Sequence, residues 1–156
     1  MRGFTVVLTL VAATVLTGSI QAQQPATTPD PDILKTVQRF FDAMRSKDTT
    51  TLRALVDTST RLVTTLTREG RPVIRGGSIN GFIQAVGAAQ QALDERIYDP
   101  EVRQDGNLAT VWTRYAFYLA GQLSHCGYDA FQLFKSQSGW KVFHIADTQR
   151  REGCAP

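Results

Sequence analysis

The sequence predicts one α+β domain in which helices come first and antiparallel strands follow. Two observations support this prediction. Apolar residues recur with a helical period over residues 33–44, and from residue 94 onward apolar and polar residues alternate between short turns. Helical and strand patterns that are segregated along the chain are typical of α+β folds.

The first predicted helix lies in "DPDILKTVQRFFDAMRSKD", residues 30–48. Its apolar residues fall on one helix face, and they are Ile33, Leu34, Val37, Phe40, Phe41 and Met44. Asp30 can cap this helix, and Pro31 suits its first turn. A short second helix is predicted from Thr50 or Thr51 to Val56.

A hairpin and a third helix are predicted next. Residues 62–67 have the alternation of a strand, "REGRP" is a turn signal, and "VIR" resumes a strand. Ser78 can cap the third helix, which the apolar spacing extends to Leu93. Four strands then follow, joined by "DGN", "AGQ" and "KSQSG", and Pro100 indicates an edge strand or a bulge in the first of them.

The N-terminal residues predict export. Arg2 precedes an apolar run over residues 4–16, which is shorter than the ~20 residues of a membrane span. We therefore expect a signal peptide over residues 1–22 with cleavage after Ala22, a flexible linker over 23–31, and a single domain over 32–156. The predicted location is periplasmic or secreted, with no membrane association after cleavage.

Charge and motifs exclude several function classes. The chain has 17 Lys and Arg against 14 Asp and Glu, but these charges are scattered, so nucleic-acid binding is not expected. The two histidines, His125 and His144, lack metal-ligand spacing. There is no glycine-rich nucleotide motif either, so we expect neither a metal nor a cofactor.

The two cysteines, Cys126 and Cys154, predict a disulfide. An even number of cysteines in an exported chain favours a bridge. The alternative is a nucleophilic Cys126 activated by His125. Adjacent residues of a strand point to opposite faces, which disfavours that alternative.

Three stretches resemble the NTF2-like superfamily. They are "VQRFFDAMRSKDTTTLRALV", "ATVWTRYAFYLAGQLSHCGYDAFQLFK" and "SGWKVFHIADT", and the last is similar to the final strand of SnoaL-like, DUF4440 and lumazine-binding-like bacterial members. The resemblance covers nearly the whole chain after the signal peptide. It implies a curved sheet that wraps the helices into a cone and encloses a pocket.

The candidate acid–base residues are His125, Asp129 and Asp147. If "KSQSG" is a tight turn, Phe134 lies opposite Lys141, and strand alternation then places Asp129 and Asp147 on opposite faces. A one-residue slip would reverse this assignment.

A carboxylate buried within a strand needs a partner, and Arg114 or Tyr115 could supply one. Two carboxylates near one another could instead raise one pKa and supply a base. The alternative for His125 is a structural position near the rim, bonded to a loop carbonyl.

Two functional hypotheses follow. In the first, the cone binds a small, mostly apolar molecule against Phe40, Trp112, Tyr115 and Phe131, with metal-free acid–base chemistry of isomerase or hydrolase type. In the second, the chain is a non-catalytic interaction module whose pocket is filled by its own side chains. A homodimer formed through the outer sheet face is expected, and the sequence leaves open whether the chain is an enzyme.

Overall fold

The computed structural model describes residues 28–154, in which three helices pack on a six-stranded sheet. The helices are α1 (Pro31–Ser46), α2 (Thr49–Leu55) and α3 (Ile79–Ala88), and the strands are β1 (Val56–Arg68), β2 (Arg71–Ser78), β3 (Leu93–Asp105), β4 (Leu108–Leu119), β5 (Gln122–Ser136) and β6 (Gly139–Gln149). The predicted α+β class and the predicted order of elements are confirmed. The predicted signal peptide, like residues 23–27 of the predicted linker, lies outside the described residues.

The sheet has the strand order β2-β1-β6-β5-β4-β3 and is curved and unclosed. All neighbouring strands are antiparallel except β1 and β6, which run parallel. The helices supply most of the buried apolar residues on the concave side of this sheet. Two aromatic residues of α1, Phe40 and Phe41, meet Phe131 of β5 edge to face at 6.0 and 5.6 Å between ring centroids.

Asp30 fixes the start of α1 to the sheet. One carboxylate oxygen caps the helix by accepting from the backbone N–H of Asp32, and the other accepts from Lys135 Nζ at 2.9 Å and Trp140 Nε1 at 3.0 Å. These hydrogen bonds hold the Asp30 pKa well below its usual range, with the Lys135 bond the largest cause. Pro31, placed at the end of the predicted linker, is the first residue of α1.

The predicted extent of α3 is wrong. The helix ends at Ala88, because Ala89 takes extended backbone angles, and Leu93 is the first residue of β3. The irregularity expected at Pro100 is present, since the β3–β4 register shifts between Tyr98 and Glu101. β3 is also an edge strand, which tolerates a proline that cannot donate a hydrogen bond.

A β-bulge in β6 changes the predicted register. Phe134 pairs with Lys141 as expected, but the register then shifts so that Asp129 lies opposite Asp147. Phe143 is the extra residue of the bulge. The prediction that Asp129 and Asp147 occupy opposite sheet faces is therefore wrong, because alternation was extended through the bulge.

The predicted disulfide between Cys126 and Cys154 is confirmed, with 5.6 Å between the two Cα atoms. It holds the segment after β6 against β5, where Cys126 and Arg150 also exchange two backbone hydrogen bonds of 3.0 Å. Neither sulfur is therefore a free nucleophile. Among residues 28–154, no helix is long and apolar enough to cross a membrane.

Gly127 allows the end of β6 to approach β5 closely. A Cβ placed at this position would overlap the backbone carbonyl of Thr148. The same carbonyl accepts the Tyr115 hydroxyl at 2.9 Å, so the close approach also positions a tyrosine.

Gly127→Ala should destabilise the fold by about 1–3 kcal/mol or more, because a backbone carbonyl cannot move aside as a flexible side chain can. The midpoint of urea unfolding measures this change. Gly76→Ala is the matched control, since nothing lies within 4 Å of a Cβ at that position. Equal midpoints for the two variants would contradict the proposed close approach.

Candidate functional site

A cavity of about 180 Å³ lies between the concave sheet face and the helices α1 and α3. Half of its apolar lining residues are phenylalanines, and the full set is Phe40, Phe41, Met44, Leu62, Val63, Phe82, Phe131 and Ile145. The Phe40 and Phe82 rings stack at 5.7 Å and join α1 to α3 on this apolar wall. An apolar cavity of roughly 150 Å³ admits benzene, so this cavity has room for one ring-sized molecule.

Residues of four neighbouring strands form a polar row, and three of them, Thr64, Asp129 and Asp147, line the cavity. Thr113 of β4 lies opposite Asp129 of β5, Asp129 opposite Asp147 of β6, and Asp147 beside Thr64 of β1. Adjacent strands are about 4.8 Å apart, so these side chains are close neighbours. The β6 bulge produces this row, because without it Asp147 would face away from the cavity.

The structure adds Glu95 of β3, which sequence analysis missed. Glu95 lies between Leu93 and Ile97, two residues that pack against the core, so the period of two points its side chain to the cavity as well. A charged residue between two apolar residues of the same strand face was the signal for it.

Glu95 and Asp129 form a carboxyl pair that retains a proton. Desolvation is the largest cause that raises both pKa values, and it brings the pKa of Glu95 to about 8. Repulsion between the neighbouring carboxylates adds to this effect, so the pair keeps a proton instead of ionising fully. Asp129 is only 3% exposed, and its Oδ2 has no hydrogen-bond donor among the described residues.

Asp147, unlike this pair, has hydroxyl donors at both of its carboxylate oxygens. Its Oδ1 accepts from the Thr64 hydroxyl at 2.7 Å, and its Oδ2 lies 3.4 Å from the Tyr115 hydroxyl. Partial burial raises the pKa of Asp147, while these two hydrogen bonds act in the opposite direction. Desolvation and the surrounding carboxylates raise the pKa of Tyr115, so its hydroxyl keeps its proton and acts as a donor.

His125 lies at the edge of the cavity, where its ring contacts Phe117 and Tyr115 at centroid distances of 4.9 and 5.7 Å. Its Nδ1 is 3.1 Å from the Ser124 hydroxyl, where a loop carbonyl had been the predicted alternative. Burial, and then the charges of Arg151 and Arg75, lower the pKa of His125. The ring is therefore neutral at pH 7.

The structure brings together six of the seven predicted site residues. His125, Asp129, Asp147, Phe40, Tyr115 and Phe131 all line the cavity. Trp112 does not, because it lies on the convex sheet face, where it is 46% exposed and stacks on Tyr128 at 5.1 Å. Arg114 also pairs elsewhere, with Asp99 at 2.7 Å, and neither aspartate of the cavity forms an ion pair with an arginine of the described residues.

Within the described part of the chain, no group of three or more His, Cys, Asp or Glu side chains is placed to hold a metal ion.

Asp129→Asn should raise the melting temperature by an amount that grows with pH. The folded state holds the shared proton to higher pH than the unfolded chain does. The pair's contribution to stability is therefore complete below about pH 4.5 and is lost as the pH rises towards about 8. The side-chain amide of the Asp129→Asn variant does not titrate in this pH range, so the variant does not lose this contribution.

Thermal unfolding at pH 5 and pH 8 tests this prediction, with a gain of roughly 2–8 °C expected at the higher pH. Glu101→Gln is the control, because it removes an exposed carboxylate from the same strand as Glu95. If the melting temperatures of Asp129→Asn and the parent chain differ by the same amount at pH 5 and at pH 8, a shared proton is contradicted.

The sequence matches no family model and no curated protein. Solved structures with the same fold include an NTF2-like protein from Cytophaga hutchinsonii, with a TM-score of 0.61 and 17% identity over 76% of this chain and 96% of that one. An NTF2-like superfamily protein from Salmonella enterica has a TM-score of 0.60 and 14% identity, and the match covers 80% of this chain and 92% of that one. A candidate dehydratase of the NTF2-like family from Streptomyces avermitilis has a TM-score of 0.59 and 18% identity, and the match covers 80% of this chain and 99% of that one. The chain therefore has the NTF2-like fold, as the three quoted stretches predicted.

Proposed function

We propose that the protein binds a small, mostly apolar molecule in the cavity and transfers a proton on it. One observation carries this proposal: three carboxyl groups converge on a cavity with an aromatic wall and room for about one ring. Titratable groups with shifted pKa values in such a cleft are typical of catalytic sites.

The carboxyl groups differ in the roles they can take. Asp147 accepts a hydrogen bond from Thr64, which favours its charged form, so it is the proposed base. The Glu95–Asp129 pair keeps a proton, so it is the proposed acid or hydrogen-bond donor. Two carboxyl sites with separated pKa values can divide acid and base roles in this way.

The other predicted residues have supporting roles. The Tyr115 hydroxyl donates to the Thr148 carbonyl, so it can accept a hydrogen bond from a ligand, and neutral His125 can accept or donate a proton at the cavity edge. Isomerisation and hydrolysis both need an acid and a base of this kind. Dehydration needs them too, and one of the similar structures is named as a candidate dehydratase.

The cavity volume favours this function over an interaction module whose pocket is filled by its own side chains. Homodimerisation through the convex sheet face stays a prediction that does not conflict with ligand binding. The exposed Trp112 is the residue most suited to such a contact. We also propose export to the periplasm or medium, and the disulfide supports an oxidising compartment.

Ligand entry should change the NMR signal of Met44. The chain has two methionines, Met1 and Met44, and the second lines the cavity. A methyl-¹³C-methionine sample therefore carries a reporter in the cavity itself. We expect millimolar benzyl alcohol to shift the Met44 methyl resonance in the parent chain.

Ile145→Phe should abolish this shift by filling the cavity, whereas Leu108→Phe should not, because Leu108 is half exposed and is not among the residues that line the cavity. An unchanged Met44 signal in the parent chain, or equal shifts in both variants, would argue against a binding cavity.

Asp147→Asn should remove base catalysis on benzisoxazole, a small aromatic probe. When a base takes the proton on its ring carbon, the N–O bond breaks and a cyanophenolate forms, which is followed by absorbance. We expect the variant to lose at least about 10²-fold in rate. In the parent chain the rate should fall as the pH drops through the Asp147 pKa, which burial raises above its usual value.

Glu101→Gln should keep the rate of the parent chain, since this exposed carboxylate is not part of the cavity lining. A parent chain no faster than buffer, or an Asp147→Asn variant as fast as the parent chain, would be incompatible with Asp147 as the base.

A further inference from the structure

The cavity carries acidic groups that form no ion pair with any cationic side chain of residues 28–154. Glu95, Asp129 and Asp147 all line it, and none of the lining residues is Lys or Arg. His125, the remaining titratable base, is neutral. The ion pairs of the described residues involve other carboxylates, all of them nearer the surface.

The contrast between Asp94 and Glu95 shows how local this arrangement is. Asp94 accepts from Arg45 at 2.6 Å and from Arg96 at 2.9 Å on the outside of the protein. The next side chain along the strand, Glu95, points the opposite way, into the cavity, and forms no ion pair with the part of the chain that the structure describes. The cationic partners of β3 thus stay outside the cavity.

Asp129 provides an independent observation that points to a ligand. Its side chain is almost completely buried and lines the cavity, and its Oδ2 has no donor in the described part of the chain. A buried acceptor without a donor is costly to leave unmatched. A donor supplied by a bound molecule would remove that cost.

The aromatic wall suits the same kind of molecule. Four phenylalanines line the cavity with the carboxyl groups: Phe40, Phe41 and Phe82 come from the helices that cover the sheet, and Phe131 lies two residues from Asp129 in β5. Aromatic faces attract organic cations, more strongly when the cation is desolvated. The exposed Arg75 and Arg151 influence the edge of the site electrostatically, but neither lines the cavity.

We propose that the ligand of this cavity is a protonated organic amine on a ring-sized apolar body, with its ammonium group against Asp129 and Glu95 and its body against the phenylalanines. This inference rests on the proposed binding function and names its substrate class. The ammonium group supplies the donors that Asp129 lacks and the positive charge that the cavity lacks. A carboxylate ligand would add a fourth acidic group to the same space.

The test compares three probes of similar size: benzylamine, benzyl alcohol and benzoate. Each is titrated at pH 7 into the folded protein while the Met44 methyl signal is followed. We expect benzylamine to bind roughly tenfold more tightly than benzyl alcohol, and benzoate to bind most weakly. Asp129→Asn and Glu95→Gln should each reduce the preference for the amine without weakening alcohol binding, whereas Glu101→Gln should leave it unchanged.

The other outcomes separate this inference from the proposed function. Equal affinities for amine and alcohol would overturn the amine preference and leave the binding cavity in place. Tighter binding of benzoate would also overturn it and would assign recognition to Arg75 and Arg151. If none of the probes shifts the Met44 signal, both the amine preference and the binding cavity are contradicted.

Discussion

The burial of acidic groups without a cation is the constraint on which the site depends. A charged carboxylate loses much of its hydration when apolar groups surround it, so it must find donors, keep a proton, or receive a charged ligand. Asp147 finds donors, whereas Glu95 and Asp129 share a proton. The aromatic rings of α1, α3 and β5 create the low-polarity surroundings that force these responses. The same phenylalanines thus stabilise the core and line the site.

Much of the fold could be predicted because local rules agree with one another. In α1 the apolar period, the cap at Asp30 and the proline at position 31 all indicate the same helix. The strands of the meander were equally clear from alternation and turn residues. The end of α3 was not, because the apolar residues after Ala88 continue a helical spacing although the backbone is already extended. Pattern alone does not record where a chain stops being helical.

The site was harder to predict than the fold for two physical reasons. A bulge adds one residue to a strand, and every later side chain then changes face, so alternation counted from the turn misplaced Asp147. Nothing in "WKVFHIAD" distinguishes a bulge from a regular strand. The second reason concerns Trp112 and Glu95, which lie on different sides of the sheet. Trp112 was predicted to line the pocket and no role was predicted for Glu95, whereas strand geometry places Trp112 on the convex face and Glu95 in the cavity.

The position of the disulfide has a consequence for how the chain matures. Cys154 follows the last strand, so the bond to Cys126 cannot form until β6 has been synthesised. Once formed, the bond ties the segment after β6 to β5 and opposes separation of these two strands. A reductant that opens it would leave that segment held by its non-covalent contacts alone, among them the backbone hydrogen bonds between Cys126 and Arg150.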